Sequence, residues 1–212
     1  MLVAIALFPR VTALDAVGPY EVLQRVPELD VVFTGENRGE VRTDNGFLGL
    51  TVDASFDEVP APDVVVVPGG IGTADLLGGG PYLDWLRAVH PGTRFTTSVC
   101  SGSLALAAAG LLNGLTATCH WGFAEHLRRF GAVPVQERVV THPDRRIITA
   151  AGVSAGIDMA IQLVSLLVDD VAAQATQVYI EYDPQPPFDA GHPGKVGAAV
   201  MERVGEYAKA RP

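Results

Sequence analysis

The chain has 212 residues, 48% of them hydrophobic, and a formal net charge of −9 at pH 7. This length suits one large domain or two small ones, and the apolar fraction is enough for a sizeable core. Because the basic spots are short, at Arg128-Arg129 and Arg145-Arg146, no basic patch can pair phosphates, which excludes nucleic acid as a partner.

The cysteine content and the N-terminus indicate a reducing compartment. Two cysteines, Cys100 and Cys119, do not make a disulfide framework. The apolar residues 1–8 have no preceding basic region and are closed by Pro9-Arg10. They are too short for a signal peptide or a membrane span. We therefore expect a cytoplasmic protein with no membrane partner.

Strand-like apolar runs alternate with helical patterns from end to end. The predicted strands cover residues 2–8, 29–34, 63–67, 94–99, 115–119, 136–141 and 146–150, with a hairpin over residues 41–52. The predicted helices cover residues 14–25, 82–90, 103–112, 122–130, 154–168, 171–182 and 195–210. This alternation predicts an α/β fold, a doubly wound, largely parallel sheet with helices on both faces. No linker or repeat divides the chain, so a single domain over residues 1–212 is expected.

Asp15 lies where the first predicted helix begins. Proline is tolerated only in the first turn of a helix, so Pro19 predicts that the helix starts near Gly18 and leaves Asp15 on a loop. A carboxyl group in a partly dry crevice can hold and transfer a proton, which makes Asp15 a candidate acid/base. The alternative is structural, since an aspartate here can cap the helix.

Cys100 stands where a predicted strand turns into a predicted helix, and Gly102 is expected to allow the sharp turn. A nucleophile at a strand-to-helix turn has the geometry of a nucleophile elbow. The helix N-terminus is expected to lower the pKa of the thiol and favour the thiolate. The alternative is a small buried apolar residue, which is the interpretation given to Cys119.

The pair Gly69-Gly70 follows the valine strand at residues 64–67. It lacks the Lys-Ser/Thr of a phosphate loop and does not match the dinucleotide pattern. The pattern favours a tight turn in which the N–H of Gly70, with that of Ser101, forms an oxyanion-type hole. A plain loop after a strand is the alternative.

His120, with Trp121 after it, follows another predicted strand. It could act as a base towards Cys100, hydrogen-bond to the backbone, or line a pocket wall. The four other histidines, among them His192, are expected at the surface. Ligands of such sheets lie beyond the carboxyl ends of the strands, so we expect Asp15, Gly69-Gly70, Cys100 and His120 to converge on one crevice. No cluster of Cys and His has the spacing of metal ligands.

Over nearly its whole length, the chain resembles the DJ-1/PfpI superfamily, most closely its isonitrile (isocyanide) hydratase branch. The similar segments are Phe8-Pro9, Leu14-Asp15, Gly18-Pro19, Val67-Pro68-Gly69-Gly70 with Gly72, Ser98-Val99-Cys100-Ser101-Gly102-Ser103, Leu111-Leu112, Ala117, His120-Trp121, Glu137-Arg138-Val139-Val140, Ala155-Gly156-Ile157-Asp158 and the tail from Glu181 to Gly191. The tail is similar to that branch and is absent from most of the superfamily.

The resemblance implies a flavodoxin-like fold, a homodimer and the hydration of a small-molecule isocyanide to an N-substituted formamide, without a cofactor or metal. Cys100 would attack the isocyanide carbon to give a thioimidate, with Asp15 as general acid/base. Gly70 and Ser101 would supply backbone donors, and Gly69, His120 and Trp121 would line the substrate pocket.

Two differences from related branches of the superfamily bear on which reaction this chain is expected to catalyse. PfpI-like proteases place histidine directly after the nucleophile, where this chain has Ser101, and DJ-1-like members place a glutamate near the thiol, where this chain has Asp15. A glyoxalase-like enzyme using His120 as a base, a redox sensor using Cys100, and a non-catalytic ligand-binding relative of AraC-type regulators remain alternatives. Those regulators carry a further helix-turn-helix domain.

Overall fold

The computed structural model describes residues 1–210. The last two residues of the expected domain, Arg211 and Pro212, lie outside the described residues. The strands are β1 (Leu2–Ala6), β2 (Asp30–Gly35), β3 (Gly39–Arg42), β4 (Gly49–Val52), β5 (Ala54–Ser55), β6 (Val64–Val67), β7 (Phe95–Val99), β8 (Thr116–Ala117), β9 (Val133–Pro134), β10 (Val139–His142) and β11 (Ile147–Ala150). The α-helices are α1 (Ala13–Leu23), α2 (Thr73–Leu76), α3 (Pro81–Val89), α4 (Gly102–Ala108), α5 (Ala155–Leu167), α6 (Asp170–Tyr179) and α7 (Ala198–Ala210).

The central sheet of the described chain has seven strands in the order β10-β11-β7-β6-β1-β2-β5. Its neighbours pair in parallel except β10, which is antiparallel to β11. From β1 the chain goes outward to β2 on one side and later returns to β6 on the other. This order places a topological switch point between β1 and β6 and confirms the flavodoxin-like, doubly wound fold.

Helices cover both faces of this sheet because its inner strands are apolar on both sides. All four valines of β6 are fully buried. Val65 and Val67 join the core formed with α3 and α4, while Val64 and Val66 join the core formed with α1 and α5. The alternating residues of one short strand therefore hold the two helical layers together.

Helix α1 begins at Ala13, so the prediction of a start near Gly18 is wrong. Pro19 lies inside the helix and Asp15 lies in its first turn, not on a loop. The local cost of an internal proline is about 3 kcal/mol or more, and tertiary packing outweighs it here. Val22 and Leu23 are fully buried, and Gly18 lies so close to α5 that a β-carbon there would be 3.1 Å from Ile157 Cγ1.

Other boundaries differ in ways that affect the site. The predicted hairpin forms as β3 and β4, which pair antiparallel. The strand predicted before His120 is only β8, which pairs with β9 in a small separate sheet. The helix predicted over residues 122–130 is a 3-10 helix at Ala124–Phe130. His120 therefore does not follow a strand of the central sheet, contrary to expectation.

Candidate active site

The loops that follow β1, β6 and β7 meet at the carboxyl edge of the sheet, beside the switch point. They bring together Asp15 of α1, the Gly69-Gly70 turn and Cys100 at the end of β7. These strands are neighbours in the sheet, in the order β7-β6-β1. Three of the four segments that were expected to converge therefore do so. They meet at the position where open α/β sheets bind their ligands.

Cys100 itself makes the sharp turn between β7 and α4. Its φ is +59°, in the left-handed region that non-glycine residues rarely adopt, and its N–H bonds to Ala150 O at 3.1 Å and Ala151 O at 2.9 Å. The prediction that Gly102 provides the turn is wrong. Gly102 is required for close packing instead, because a β-carbon there would lie 2.2 Å from Val67 O.

The Asp15 carboxyl is fully buried beside this thiol. Its Oδ2 accepts a hydrogen bond from the N–H of Gly69 at 2.9 Å, and the Cys100 thiol is within hydrogen-bonding reach of the carboxyl. Its Oδ1 has no regular hydrogen bond within residues 1–210. Asp15 does not cap α1, since the N-cap residue is Thr12. The structural alternative for Asp15 is therefore wrong.

Burial raises the pKa of both members of this pair, so each loses its proton less readily than it would in water. It raises the pKa of Asp15 from 3.8 to about 7, while the hydrogen bonds from Gly69 and Cys100 act in the opposite direction. Burial, followed by the negative charge of Asp15, raises the pKa of Cys100 well above its usual value. The expected low pKa of Cys100 is therefore wrong, because loss of solvation outweighs the backbone N–H groups that favour the thiolate.

The Gly69-Gly70 turn differs from the predicted oxyanion hole in its donors. The N–H of Gly70 donates to Ser101 Oγ at 3.0 Å, and the same hydroxyl lies 3.0 Å from Thr73 Oγ1. The N–H of Gly70 is thus occupied, so its expected role as a free donor is wrong. Gly69 is in close contact with the nucleophile loop, since a β-carbon there would lie 2.5 Å from Ser101 N.

Val153 provides a backbone donor that sequence reasoning missed. Backbone hydrogen bonds from the N–H groups of Val153 and Ser101 lower the pKa of the Cys100 thiol. Val153 has a φ of +37°, an outlier for a β-branched residue. Strain of this kind clusters at active sites, but a left-handed valine between Gly152 and Ser154 leaves no signal in the sequence.

His120 and Trp121 lie on a neighbouring cavity of about 750 Å³. The Nδ1 of His120 accepts the N–H of Gly122 at 3.2 Å, and burial lowers the pKa of the imidazole. Within residues 1–210, His120 makes no hydrogen bond to Cys100. Of the three roles considered for His120, the backbone hydrogen bond and the pocket wall are observed.

The tail loop after α6 forms part of the wall of this cavity. Phe188, His192 and Lys195 line it, together with Cys119 and Val153. His192 was expected at the surface; it is exposed, and it also faces this cavity. The only sequence signal for this wall was the tail similarity to the hydratase branch.

Three further properties of residues 1–210 bear on the chemistry of the site. Cys100 and Cys119 are both buried free thiols. No group of three or more His, Cys, Asp or Glu side chains in this part of the chain is arranged to hold a metal ion. No helix described here is both long enough and apolar enough to cross a membrane.

Known proteins resemble this chain over most of its length. The sequence profile of the DJ-1/PfpI family matches residues 1–166. The isonitrile hydratase of Pseudomonas putida is 41% identical over 202 residues, which cover 95% of this chain and 87% of that protein. A crystal structure of a ThiJ/PfpI family protein from Pseudomonas syringae superposes with a TM-score of 0.91 at 34% identity, covering 99% of this chain and 86% of that one.

More distant matches are partial or concern the fold alone. The HTH-type transcriptional regulator GbdR of Pseudomonas aeruginosa is 36% identical over 118 residues, which cover 55% of this chain and 32% of the regulator. Drosophila melanogaster DJ-1beta superposes with a TM-score of 0.76 at 22% identity, covering 85% of this chain and 97% of that one. The family match over most of the chain confirms the resemblance found in the sequence: the chain belongs to the DJ-1/PfpI family.

Proposed function

We propose that this protein is an isocyanide hydratase, which converts an isocyanide and water to an N-substituted formamide. The observation that carries the proposal is the buried pair of Asp15 and Cys100 at the switch point, a carboxyl group and a thiol near enough to shift each other's pKa. The similarity to an isonitrile hydratase over most of both chains supports it. Isocyanide carbon accepts soft nucleophiles, and sulfur is the soft nucleophile of this site.

The first half of the reaction forms a thioimidate. Near neutral pH the pair holds one proton on the Cys100 thiol and leaves Asp15 in part ionised. As the sulfur of Cys100 bonds to the isocyanide carbon, Asp15 takes the thiol proton and delivers it to that carbon. The product is R–N=CH–S–Cys, and every atom of the isocyanide and the thiol is retained.

The second half consumes water and releases the enzyme. Asp15, again ionised, takes a proton from water as the oxygen adds to the thioimidate carbon, and passes this proton to the nitrogen, which becomes N–H. The C–S bond then breaks as the carbonyl forms, and the hydroxyl proton returns through Asp15 to the sulfur. The products are R–NH–CHO and the free Cys100 thiol, so no cofactor or redox step is needed.

The backbone around the pair supports these steps. The N–H groups of Val153 and Ser101 stabilise negative charge on sulfur while the thiol proton is being transferred and when the thiolate leaves. The hydrogen bond from Gly69 holds one oxygen of Asp15, which leaves Oδ1 to exchange the proton. The glyoxalase-like alternative requires His120 as a base at Cys100, and the hydrogen bonds of the imidazole do not favour it.

The working form that we propose is a cytoplasmic homodimer. Two free buried thiols suit a reducing compartment. Helix α7 contains no buried residue, although Val200, Val204 and Tyr207 form an apolar stripe along it. A symmetric pair is the commonest soluble assembly, and it would cover this stripe.

The function is tested by following formamide production from an isocyanide by NMR. Wild type should form the formamide, and Cys100→Ala should lose on the order of 10⁴-fold or more in rate, because it removes the nucleophile. Cys119→Ala changes only the cavity wall and should lose at most about fivefold. Formation of formamide at equal rates by wild type and Cys100→Ala would overturn the proposal.

A further inference from the structure

We propose that the cavity lined by Trp121 and the tail loop binds the substituent of the isocyanide, and that Trp121 and Phe188 select a bulky aromatic group without negative charge. This inference rests on the proposed hydratase function and adds its substrate class. The cavity has a volume of about 750 Å³. Cavities of this size typically enclose ligands much larger than methyl isocyanide.

The cavity borders the neighbours of the reacting pair, although Cys100 and Asp15 are not among its lining residues. Val153, whose N–H lowers the pKa of the Cys100 thiol by a backbone hydrogen bond, is part of its wall, and so is Cys119. Cys100 itself is only 5% exposed. A substrate whose terminal carbon reaches the sulfur therefore leaves its substituent in the space beyond Val153 and Cys119.

Two exposed aromatic residues line this space. Trp121 is 46% exposed and Phe188, on the tail loop, is 77% exposed, so both rings offer apolar area that the protein itself leaves uncovered. The His120 ring lies 5.2 Å from that of Trp121, and burial favours its neutral form. Gly152 makes room for this ring, because a β-carbon there would lie 2.6 Å from His120 Cδ2. Aromatic ligands gain from such surfaces beyond simple area burial.

The charges of the cavity disfavour an anionic substituent. The two cations that line it are already paired, Lys195 with Asp189 and Arg138 with Asp158. Glu125 and Glu137 line the same cavity. An anionic group would meet these carboxylates without a free cation to offset them.

The tail loop is anchored where it leaves α6. Tyr182 Oη donates to Asp158 Oδ1 at 2.6 Å, and the same carboxylate binds Arg138. Gln177 Nε2 also donates to Tyr182 O at 3.1 Å. The start of the loop is therefore tied to α5, which holds the segment that carries Phe188 at the cavity.

The test is steady-state kinetics of the full chain with naphthyl isocyanide, methyl isocyanide and isocyanobenzoate. Wild type should prefer the naphthyl compound in kcat/KM. Trp121→Leu and Phe188→Leu should each raise KM for it by about three- to tenfold with little change in kcat, and should change KM for methyl isocyanide much less. Trp121→Phe should restore most of the affinity, because it keeps a flat ring.

Phe47→Leu is the matched control, since Phe47 is 80% exposed and does not line the cavity. The inference is overturned if isocyanobenzoate is preferred, or if both leucine variants keep the wild-type KM for the naphthyl compound. Calorimetry on Cys100→Ala separates this outcome from failure of the proposed function. Selective binding of N-naphthylformamide over N-methylformamide, lost in the double variant with Trp121→Leu, supports an aromatic site even if no isocyanide is hydrated, and equal binding of the two formamides contradicts it.

Discussion

The N–H of Gly69 donates a hydrogen bond of 2.9 Å to Oδ2 of Asp15, which joins the turn after β6 to the helix after β1. This bond fixes the carboxyl group across the switch point and leaves Oδ1 without a regular partner in residues 1–210. The Cys100 thiol reaches the same carboxyl. The glycine turn thus fixes the carboxyl group of Asp15, a different task from the oxyanion hole predicted for it.

The first prediction concerns the proton carried by Asp15. Asp15→Asn keeps the shape and can still accept the hydrogen bond from Gly69, but it cannot exchange a proton. General acid/base groups contribute typically 10²–10⁴-fold, so the hydration rate should fall on the order of 100-fold or more. Circular dichroism should show an unchanged fold. A stable variant with nearly full activity would remove Asp15 from the chemistry.

The second prediction is the pH dependence of the reaction. Asp15 must be ionised to accept the thiol proton, and its pKa is about 7. We therefore expect kcat/KM to increase with pH and to reach half its plateau near pH 7, falling tenfold for each unit below that point. The residual rate of Asp15→Asn should be flat over the same range. A wild-type kcat/KM that does not fall below pH 7 would contradict the role of Asp15 as the base.

The third prediction is the effect of the same group on stability. The pKa of Asp15 is 3.8 in a solvated chain and about 7 in the fold, so the folded state binds the extra proton between these values. The contribution of Asp15 to the free energy of unfolding should therefore be largest below about pH 4. It should decrease by up to about 4 kcal/mol as the pH rises to about 7.

Denaturant unfolding of wild type and Asp15→Asn, measured in parallel across this range, isolates the contribution. The difference in unfolding free energy between them should move in favour of the variant as pH rises. Other titrating groups cancel in this comparison. A difference that stays constant with pH would show that burial does not perturb this carboxyl.

The sheet and the nucleophile position were predictable because they follow from local patterns. The valines of β6 and the change from strand to helix around Cys100 are visible in the sequence. The start of α1 was not predictable from such patterns. The rule that proline belongs in the first turn of a helix is local, while the packing of Gly18 against Ile157 decides where this helix begins. The pKa of Cys100 was also missed, since the helix terminus is local and burial depends on the whole fold.

The fourth prediction is the reactivity of the thiols. Burial raises the pKa of Cys119 to about 12 and that of Cys100 well above its usual value, so alkylation by iodoacetamide should be slow at neutral pH for both. Asp15 contributes to the shift at Cys100. Its replacement by asparagine should therefore move the pH profile of Cys100 alkylation to lower pH and change that of Cys119 much less. Mass spectrometry of the two peptides measures both rates in one sample. Complete alkylation of the wild-type Cys100 within seconds at neutral pH would show instead that its thiol has a low pKa.

The fifth prediction is that the chain forms a homodimer through α7. No residue of this helix is buried in the single chain, and Val200, Val204 and Tyr207 share one face. Light scattering should give about twice the chain mass of 22.3 kDa.

Val204→Glu places a charge in the apolar stripe and should shift the protein towards the monomer, because a buried unpaired charge is costly. Glu202→Lys, which changes charge on the same helix outside this stripe, is the matched control and should remain dimeric. A wild-type mass near that of one chain at micromolar concentration would exclude the dimer, and a Val204→Glu variant that stays fully dimeric would place the interface elsewhere.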